Sequence, residues 1–242
     1  MDENIIENIN VENIYARTKL LLGKEKLDKI KNSKVVILGL GGVGSYTLEA
    51  LARIGIGNIT IADKDIVDIT NINRQLIATT KTIGLNKVDV AKKRVKEINP
   101  NIKITELLTK VSNENISNII EDDVDYVIDC IDDFEAKIAV MKYCYDNNIK
   151  IISSMGMANK TNPLDIKVSD INKTIMCKLA KKVRKTLKTL NVKKLKVVYS
   201  VEETKQIDQT EKIDTILGSV SFVPSVAGLI LASEVVKDLT IN

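Results

Sequence analysis

The chain alternates between short apolar runs and longer stretches in which apolar residues recur at helical spacing. Short apolar runs of this kind are typical of strands buried in a parallel sheet. The run at 34–38 is of this kind, and further strands are predicted at 58–62, 102–108, 125–129 and 150–154. Helical patterns lie between them, at 45–54, 84–98, 113–120 and 133–147. The alternation predicts βαβ units and an α/β fold with a doubly wound, mainly parallel, Rossmann-like sheet.

The two ends of the chain depart from this alternation. Residues 1–33 predict a helical N-terminal arm. The second half is less regular, and its predicted elements are an extended stretch at 163–172, a helix at 178–190, a strand at 196–201 and a polar loop at 202–213. We expect the sheet to end with a strand at 218–223, followed by a closing helix that begins near Pro224.

One uncharged stretch, from Thr215 to Ser233, approaches the length of a membrane span. Four serines interrupt it, and Pro224 lies in its middle. We therefore predict a buried strand and helix here and no stable membrane span, while peripheral contact with a membrane stays open.

Composition narrows the chemistry more than it narrows the fold. The 242 residues include no His, which excludes a His-based catalytic triad, a His zinc site and an imidazole general base. Aromatic residues make up 3% of the chain and Trp is absent, so a platform that stacks single-stranded bases is disfavoured. The three cysteines, Cys130, Cys144 and Cys177, form no C-x-x-C pair, and we expect a reducing, cytoplasmic setting.

A glycine-rich loop directly follows the first predicted strand. Its sequence, GLGGVGS, matches G-x-G-x-x-G through Gly39, Gly41 and Gly44, with Gly42 as a further glycine. Glycine lets a phosphate approach the backbone, and the helix that follows offers free N–H groups to an anion. Asp63 lies 19 residues after Gly44, at the end of the next strand, where a carboxylate can hold ribose hydroxyls. The arrangement predicts a nucleotide site without specifying NAD.

Two further clusters follow predicted strand ends. The first is a polar loop, with Asn71 and Arg74, which leads to Lys87. Arg74 and Lys87 could neutralise a triphosphate, although residues of an ordinary solvated loop would give the same sequence pattern. The second cluster includes Asp132 and Asp133. A carboxylate there can hold a Mg²⁺ that bridges phosphate oxygens, or it can cap the next helix, and the two roles can be divided between the two residues.

Taken in order, these motifs resemble the MoeB/ThiF/HesA family of ATP-dependent adenylating enzymes, which are related to ubiquitin activators. The resemblance extends from Arg17 to the C-terminus. It implies a ThiF-type fold in which Gly39, Gly41, Gly42 and Gly44 form the ATP loop and Asp63 holds the ribose. It also implies that Asn71, Arg74 and Lys87 clamp the phosphates and that Asp132 binds Mg²⁺.

The same resemblance implies an organisation for the whole chain. Arg17, in its R-x-x-x-L-L-L-G setting, resembles an arginine that relatives lend across a homodimer, so Arg17, Arg74 and Lys87 are the expected catalytic residues. We expect a single ThiF-like domain, 1–242. It would comprise the arm at 1–33, a nucleotide-binding half at 34–160 and a half for substrate and dimer contacts at 161–242.

Segments outside the ATP motifs, at 147–174 and 218–236, resemble the branch of the family that acts on tRNA. That likeness implies ATP-dependent cyclisation of the threonylcarbamoyl group on a tRNA adenosine, with loss of water, through an acyl adenylate. The alternative is adenylation of the C-terminus of a ubiquitin-like sulfur carrier, which the absent C-x-x-C pairs disfavour. A sulfur-transfer partner and a nucleophilic Cys177 stay open, and a degenerate binding module or an NAD oxidoreductase is disfavoured.

A basic segment sets the charge balance of the chain. From 171 to 201 there are ten Lys or Arg residues and no Asp or Glu, whereas 26 basic residues face 32 acidic ones elsewhere. Apolar residues at helical spacing, from Leu179 to Leu190, would turn the basic side chains outward. Such a field suits an RNA backbone, although a solvated basic face or an acidic protein partner fits it too. The RNA-binding candidates are Lys178, Lys181, Lys182, Arg184, Lys185 and Lys188.

Overall fold

A computed structural model describes residues 14–204 and 217–241. Seven strands form one sheet, in the order β3-β2-β1-β4-β5-β7-β6. Every neighbouring pair is parallel except β6 and β7, which are antiparallel. The strands are β1 (Lys34–Leu38), β2 (Asn58–Asp63), β3 (Lys103–Leu108), β4 (Tyr126–Asp129), β5 (Ile151–Ser154), β6 (Ile166–Asp170) and β7 (Lys196–Ser200).

Helices cover both faces of the sheet. They are α1 (Ala16–Leu22), α2 (Lys24–Asn32), α3 (Gly44–Ile54), α4 (Lys87–Ile98), α5 (Ile116–Ile119), α6 (Phe134–Asp146), α7 (Lys178–Thr189) and α8 (Phe222–Thr240). Alternate residues of β1 show the two layers, because Val35 and Ile37 pack with α3, α4 and α8, whereas Val36 and Leu38 pack with α5 and α6. The predicted doubly wound, mainly parallel α/β fold is confirmed.

The sheet order places the ends of β1 and β4 at a topological switch point. The chain runs outward from β1 through β2 to β3, then returns to β4 on the other side of β1. In open α/β sheets, ligands bind in the crevice that this reversal creates at the carboxyl ends of the strands. The glycine loop follows β1 and the acidic cluster follows β4, so both lie at this crevice.

The C-terminal part of the sheet differs from the prediction. The strand expected at 218–223 is absent from the described residues, and α8 begins at Phe222 rather than near Pro224. Asn159 exchanges hydrogen bonds with Gly218 through its backbone and side chain, which holds the segment before α8 as a loop. A short run of Ser, Val and Phe fits a strand or a buried helix start equally well, and only tertiary contacts decide.

Two helices are shorter than predicted. The helix predicted at 84–98 begins only at Lys87, because Gly84 and Leu85 are hydrogen-bonded to Val67 in the preceding loop. The helix predicted at 113–120 is reduced to α5. Most of the polar loop at 202–213 lies outside the described residues, as do the first thirteen residues of the arm. None of the helices in the described ranges is long and apolar enough to cross a membrane.

Candidate nucleotide site

The glycine loop is a tight connection that excludes side chains at two positions. Gly39 has φ of +88°, and a Cβ there would lie 2.8 Å from the carbonyl oxygen of Cys130. A Cβ on Gly44 would overlap the carbonyl oxygen of Gly39. Both positions therefore require glycine, one for its backbone conformation and both for the close approach of the backbone of β1, α3 and the segment after β4.

The loop leaves the start of α3 open to an anion. No side chain caps this helix; of its first turn, the backbone N–H groups of Ser45 and Thr47 donate to the carbonyl oxygens of Gly41 and Val43, and no side chain occupies the others. A side chain at Gly41 would meet nothing within 4 Å, which shows that the loop has an open side there. Free N–H groups and the positive end of the helix dipole on an open side together form an anion-binding site.

Asp63 joins the end of β2 to the glycine loop. Its Oδ2 accepts a hydrogen bond from the backbone N–H of Leu40 at 2.6 Å, and its Oδ1 accepts one from Asp65 at 2.8 Å. The side chain is buried. A carboxylate has about four acceptor positions, so these two bonds fix its orientation and leave capacity for hydroxyl groups.

The loop after β2 presents one arginine without a carboxylate partner. Nη1 of Arg74 donates to the carbonyl oxygen of Thr70 at 2.8 Å and to Oδ1 of Asn73 at 2.9 Å. Among the described residues no acidic group lies within 4.0 Å of it. The side chain of Arg74 also approaches Gly42 of the glycine loop. Its positive charge is therefore held beside the loop and is not neutralised.

Asn71 and Lys87 are both buried, although each belongs to the polar loop region that follows β2. Oδ1 of Asn71 accepts from the backbone N–H of Asp68 at 3.1 Å, as part of a capping box around a short 3-10 turn. Lys87 is the first residue of α4, and its Nζ lies 3.1 Å from Oδ2 of Asp65. Only 6% of the Lys87 side chain is exposed, against 50% for Asp65. The charge of Lys87 thus enters the site from a buried and fixed side chain.

The two adjacent aspartates after β4 have separate roles. Oδ1 of Asp133 accepts from the backbone N–H of Ala136 at 3.0 Å and caps α6, while Lys110 lies 3.2 Å away. The backbone bond from Ala136, with Lys110, lowers the pKa of Asp133 below its usual range. Asp132 is exposed and has no hydrogen-bond or ion-pair partner among the described residues. Asp132 is therefore the carboxylate that stays available to a ligand.

Sequence reasoning missed a buried polar network under this edge. Asp129 and Lys137 are both buried, with Nζ of Lys137 2.6 Å from Oδ2 of Asp129. Ser153 donates to the same oxygen at 2.6 Å, and the backbone N–H of Ile131 donates to Oδ1 at 3.0 Å. The network fixes the backbone that leads to Asp132. A signal was present, because Lys137 falls on the buried face of α6 beside Ala136, Val140, Met141 and Cys144.

The start of α8 also reaches the site, which the predicted strand had obscured. A Cβ on Gly42 would lie 3.1 Å from Cβ of Pro224, and one on Gly228 would overlap the carbonyl oxygen of Val43. Nδ2 of Asn73 donates to the carbonyl oxygen of Ser219 at 3.1 Å. The C-terminal helix and the loop before it therefore pack directly on the glycine loop.

The cysteines are placed as structural residues. Burial raises the pKa of Cys130 to about 12, and it raises that of Cys144 to about 12 as well. Cys177 is buried, and its Sγ accepts from the backbone N–H of Ala180 at 3.4 Å as the cap of α7. The thiolate is the nucleophilic form of cysteine, and a cysteine with a raised pKa carries little thiolate at neutral pH. Cys177 therefore caps α7, a contact that the sequence did not reveal.

Arg17 lies far from the other expected site residues of its own chain. The neighbouring Tyr15 is buried against Gly55 at the end of α3, and Nδ2 of Asn99 donates to its hydroxyl at 2.7 Å. Because α3 has 11 residues, its end lies about 16 Å from the glycine loop. Arg17 itself is exposed and lies two residues after Tyr15, on the side of the molecule where α3 ends.

The basic helix α7 turns its lysines outward as predicted. Its apolar side is buried through Ala180, Val183 and Leu187. Arg184 differs from the lysines, because its Nη1 donates to Oγ1 of Thr174 at 2.6 Å and to the carbonyl oxygen of Thr174 at 3.0 Å. The exposed lysines of the helix are Lys178, Lys181, Lys182, Lys185 and Lys188.

Together these features define an α/β protein of the doubly wound, nucleotide-binding class. A family model described as ThiF family matches residues 15–241. The match covers almost the entire chain, and the chain belongs to the ThiF family.

Individual relatives resemble the chain over nearly its full length. It is 43% identical over 238 residues to a tRNA threonylcarbamoyladenosine dehydratase of Bacillus subtilis (strain 168), covering 93% of this chain and 94% of the relative. Two crystal structures of the E. coli tRNA N6-threonylcarbamoyladenosine dehydratase superpose on it. The complex with AMP has a TM-score of 0.87 at 32% identity, and the complex with ATP has 0.86 at 31%; each covers 94% of both chains.

Proposed function

We propose that this protein is an ATP-dependent tRNA threonylcarbamoyladenosine dehydratase, which closes the threonylcarbamoyl group of the modified adenosine into a ring with loss of water. One observation carries the proposal. The residues at the switch point form an open anion site with two cations, in a chain that is similar to the Bacillus subtilis dehydratase across 238 residues. The similarity therefore includes the second half of the chain as well as the nucleotide motifs.

In this proposal ATP occupies the crevice between the ends of β1 and β4. The backbone around Gly41 and the first turn of α3 bind phosphate, and Asp63 holds the ribose hydroxyls. Arg74 and Lys87 neutralise the phosphates, with Asn71 as a further donor. The complexes of the E. coli relative with AMP and with ATP support a nucleotide of this type.

Asp132 fits one carboxylate ligand of Mg²⁺. No group of three or more His, Cys, Asp or Glu residues suited to a metal occurs in the described ranges, which argues against an all-protein metal cage. Mg²⁺ is usually held by one or two carboxylates together with substrate phosphates and water. Bound in that way, Mg²⁺ would offset negative charge on the phosphates.

The chemistry proceeds in two steps. A carboxylate oxygen of the threonyl group attacks the α-phosphorus of ATP, so that an acyl adenylate forms and pyrophosphate leaves. A nitrogen or oxygen of the same substrate then attacks the acyl carbon, AMP leaves and a proton is lost. Arg74 and Lys87 stabilise the charge that develops on the α-phosphate. Because the second attack is intramolecular, proximity supplies its rate advantage without a histidine or a cysteine nucleophile.

We further propose a homodimer in which Arg17 completes the site of the other subunit. Arg17 lies on the side of the molecule where α3 ends, away from its own crevice, so a role at an ATP site requires a second copy of the chain. The same helix exposes two apolar side chains, Leu20 and Leu21, at 87% and 85%. Large apolar side chains exposed side by side are typical of a surface that another chain covers.

The test follows AMP formed from ATP that is labelled at the α-phosphate. We expect AMP to form when the tRNA carries threonylcarbamoyl adenosine and not when it lacks that group. Asp132→Ala should lower the rate by at least about 100-fold, because the Mg²⁺ ligand is lost. Asp133→Asn is the matched control, since an amide also caps a helix and the rate should stay near that of the wild type.

Two results would contradict this proposal. A wild-type rate of AMP formation in Asp132→Ala would show that Asp132 is not the Mg²⁺ ligand. AMP formation with a ubiquitin-like sulfur carrier, combined with none on modified tRNA, would favour the alternative adenylyltransferase and overturn the assignment of the substrate.

A further inference from the structure

A groove beside α7 is lined almost entirely by basic and amide side chains. Its volume is about 680 Å³. It lies between the outer face of α7 and the loops that flank the helix. Its polar lining comprises Lys181, Lys185, Lys188, Lys193, Asn172 and Asn191.

The cations of this groove are not neutralised by the protein. None of its lysines lies within 4.0 Å of a carboxylate in the part of the chain that the structure describes. Arg184 is committed to Thr174 and Ile171, so it fixes the wall of the groove. Because the segment 171–201 contains no acidic residue, the positive potential of the groove is uncompensated.

The helix that lines the groove begins close to the nucleotide site, and the groove lies along the rest of that helix. Nζ of Lys182 lies 3.7 Å from the centre of the Phe134 ring, and Phe134 begins α6 two residues after Asp132. The side chain of Leu179 lies against Gly156, which follows the carboxyl end of β5. The start of α7 therefore lies at the same edge of the sheet as the switch point.

We propose that this groove binds the phosphate backbone of RNA on one side of the nucleotide that reacts at the switch point. The proposal rests on the proposed function, because it assigns a binding surface to the tRNA substrate. Lys181 and Lys188 are seven residues apart on a helix, which separates their attachment points by about 10 Å. A separation of that size allows the two lysines to contact different phosphates of one strand.

The lining distinguishes RNA from an acidic protein. The core of a protein–protein interface is rich in apolar and aromatic side chains and depleted in lysine. The apolar residue that lines this groove is Val192, which is itself buried. The ammonium and amide groups of the lining suit sugar and phosphate oxygens, to which they donate hydrogen bonds.

The experiment measures binding of purified modified tRNA to the full-length protein, without ATP, at several KCl concentrations. The variant K181Q/K185Q/K188Q removes three charges of the groove. The control variant K93Q/K103Q removes two exposed charges on α4 and β3, and β3 is the outermost strand on the other side of the sheet. We expect the groove variant to bind about tenfold or more weakly and its salt dependence to fall by about two to three units of slope. The control variant should bind as the wild type does.

Three results would overturn the groove assignment. The first is a groove variant that binds tRNA with wild-type affinity and wild-type salt dependence. The second is an equal loss of tRNA affinity in both variants. The third is a groove variant that no longer binds an acidic carrier protein but still binds tRNA. Loss of water from modified tRNA, measured alongside on the wild type, separates this proposal from the proposed function. If the wild type binds modified tRNA but removes no water from it, only the proposed function is overturned. If the wild type removes water and the groove variant binds tRNA as the wild type does, only the groove assignment is overturned.

Discussion

Helices α4 and α7 are both rich in lysine and arginine, yet their charges are arranged in opposite ways. In α4, Lys87 pairs with Asp65 at 3.1 Å and Arg94 pairs with Glu49 at 2.8 Å. Lys92 pairs with Glu106 on the adjacent strand β3. In α7, by contrast, no lysine or arginine has a carboxylate within 4.0 Å among the described residues.

The difference shows that a count of basic residues does not identify a binding surface. The pairs made by Lys92 and Arg94 contribute to the fold, and in each of them the carboxylate largely cancels the field of the cation. Six unpaired cations on one short helix repel each other and attract anions over a distance of about a Debye length, about 8 Å at physiological ionic strength. We therefore expect substitutions in α4 to affect turnover or stability, and substitutions on the exposed face of α7 to affect binding of RNA.

The largest effect is expected for Lys87, the α4 residue that enters the nucleotide site. Lys87→Met should lower the rate of AMP formation by about 100- to 1,000-fold, because a buried cation beside the phosphates is lost. Lys93→Met, at an exposed position of the same helix, is the matched control and should stay near the wild-type rate. Wild-type activity in Lys87→Met would place the phosphates elsewhere.

The second prediction concerns Arg94, whose partner Glu49 is only 11% exposed. Burial alone would raise the pKa of Glu49, but the bonds from Arg94 and Arg53 hold it below the usual range. Arg94→Met should lower the free energy of unfolding at pH 7 by about 1 kcal/mol, measured by urea denaturation.

The same variant has a defined pH dependence. A carboxyl group with a lowered pKa stabilises the fold above its unfolded pKa, near 4.3, and that stabilisation is lost as the pH falls through its folded pKa. The difference between Arg94→Met and the wild type should therefore be fully present above about pH 5 and should shrink in acid. A difference that grows as the pH falls would contradict the assignment of the pair.

The smallest effect is expected for the stability of the α7 variant. Removal of Lys181, Lys185 and Lys188 charges in K181Q/K185Q/K188Q should change the free energy of unfolding by no more than about 0.5 kcal/mol. A small increase is expected, because like charges four residues apart on a helix repel by about 0.2–0.5 kcal/mol. A loss of more than about 1 kcal/mol would show that the lysines stabilise the fold.

Much of the fold could be predicted because its signals are local. Strands β1 and β4 are short, mostly apolar and buried, and glycine spacing identified the loop between β1 and α3. The expected strand at 218–223 was wrong, because its outcome depends on Asn159 and on the packing of Pro224 against Gly42. These contacts join residues far apart in the chain, so no pattern of neighbouring residues could reveal them.

The candidate site divides in the same way. Gly39 and Asp63 were predicted from spacing, and the structure places both at the switch point. The separate roles of Asp132 and Asp133 could not be decided from sequence, since either residue can cap a helix. The buried pair of Asp129 and Lys137 was missed, because a lysine within a helix usually lies on its solvent face.

In its proposed function, this protein removes water from threonylcarbamoyl adenosine in tRNA and consumes ATP. The most direct measurement incubates the purified protein with ATP, Mg²⁺ and tRNA that carries this nucleoside, then digests the tRNA and determines the nucleoside masses by mass spectrometry. We expect an ATP-dependent product that is lighter than threonylcarbamoyl adenosine by one water molecule. An unchanged nucleoside mass, in a sample where the protein binds both ATP and the tRNA, would contradict it.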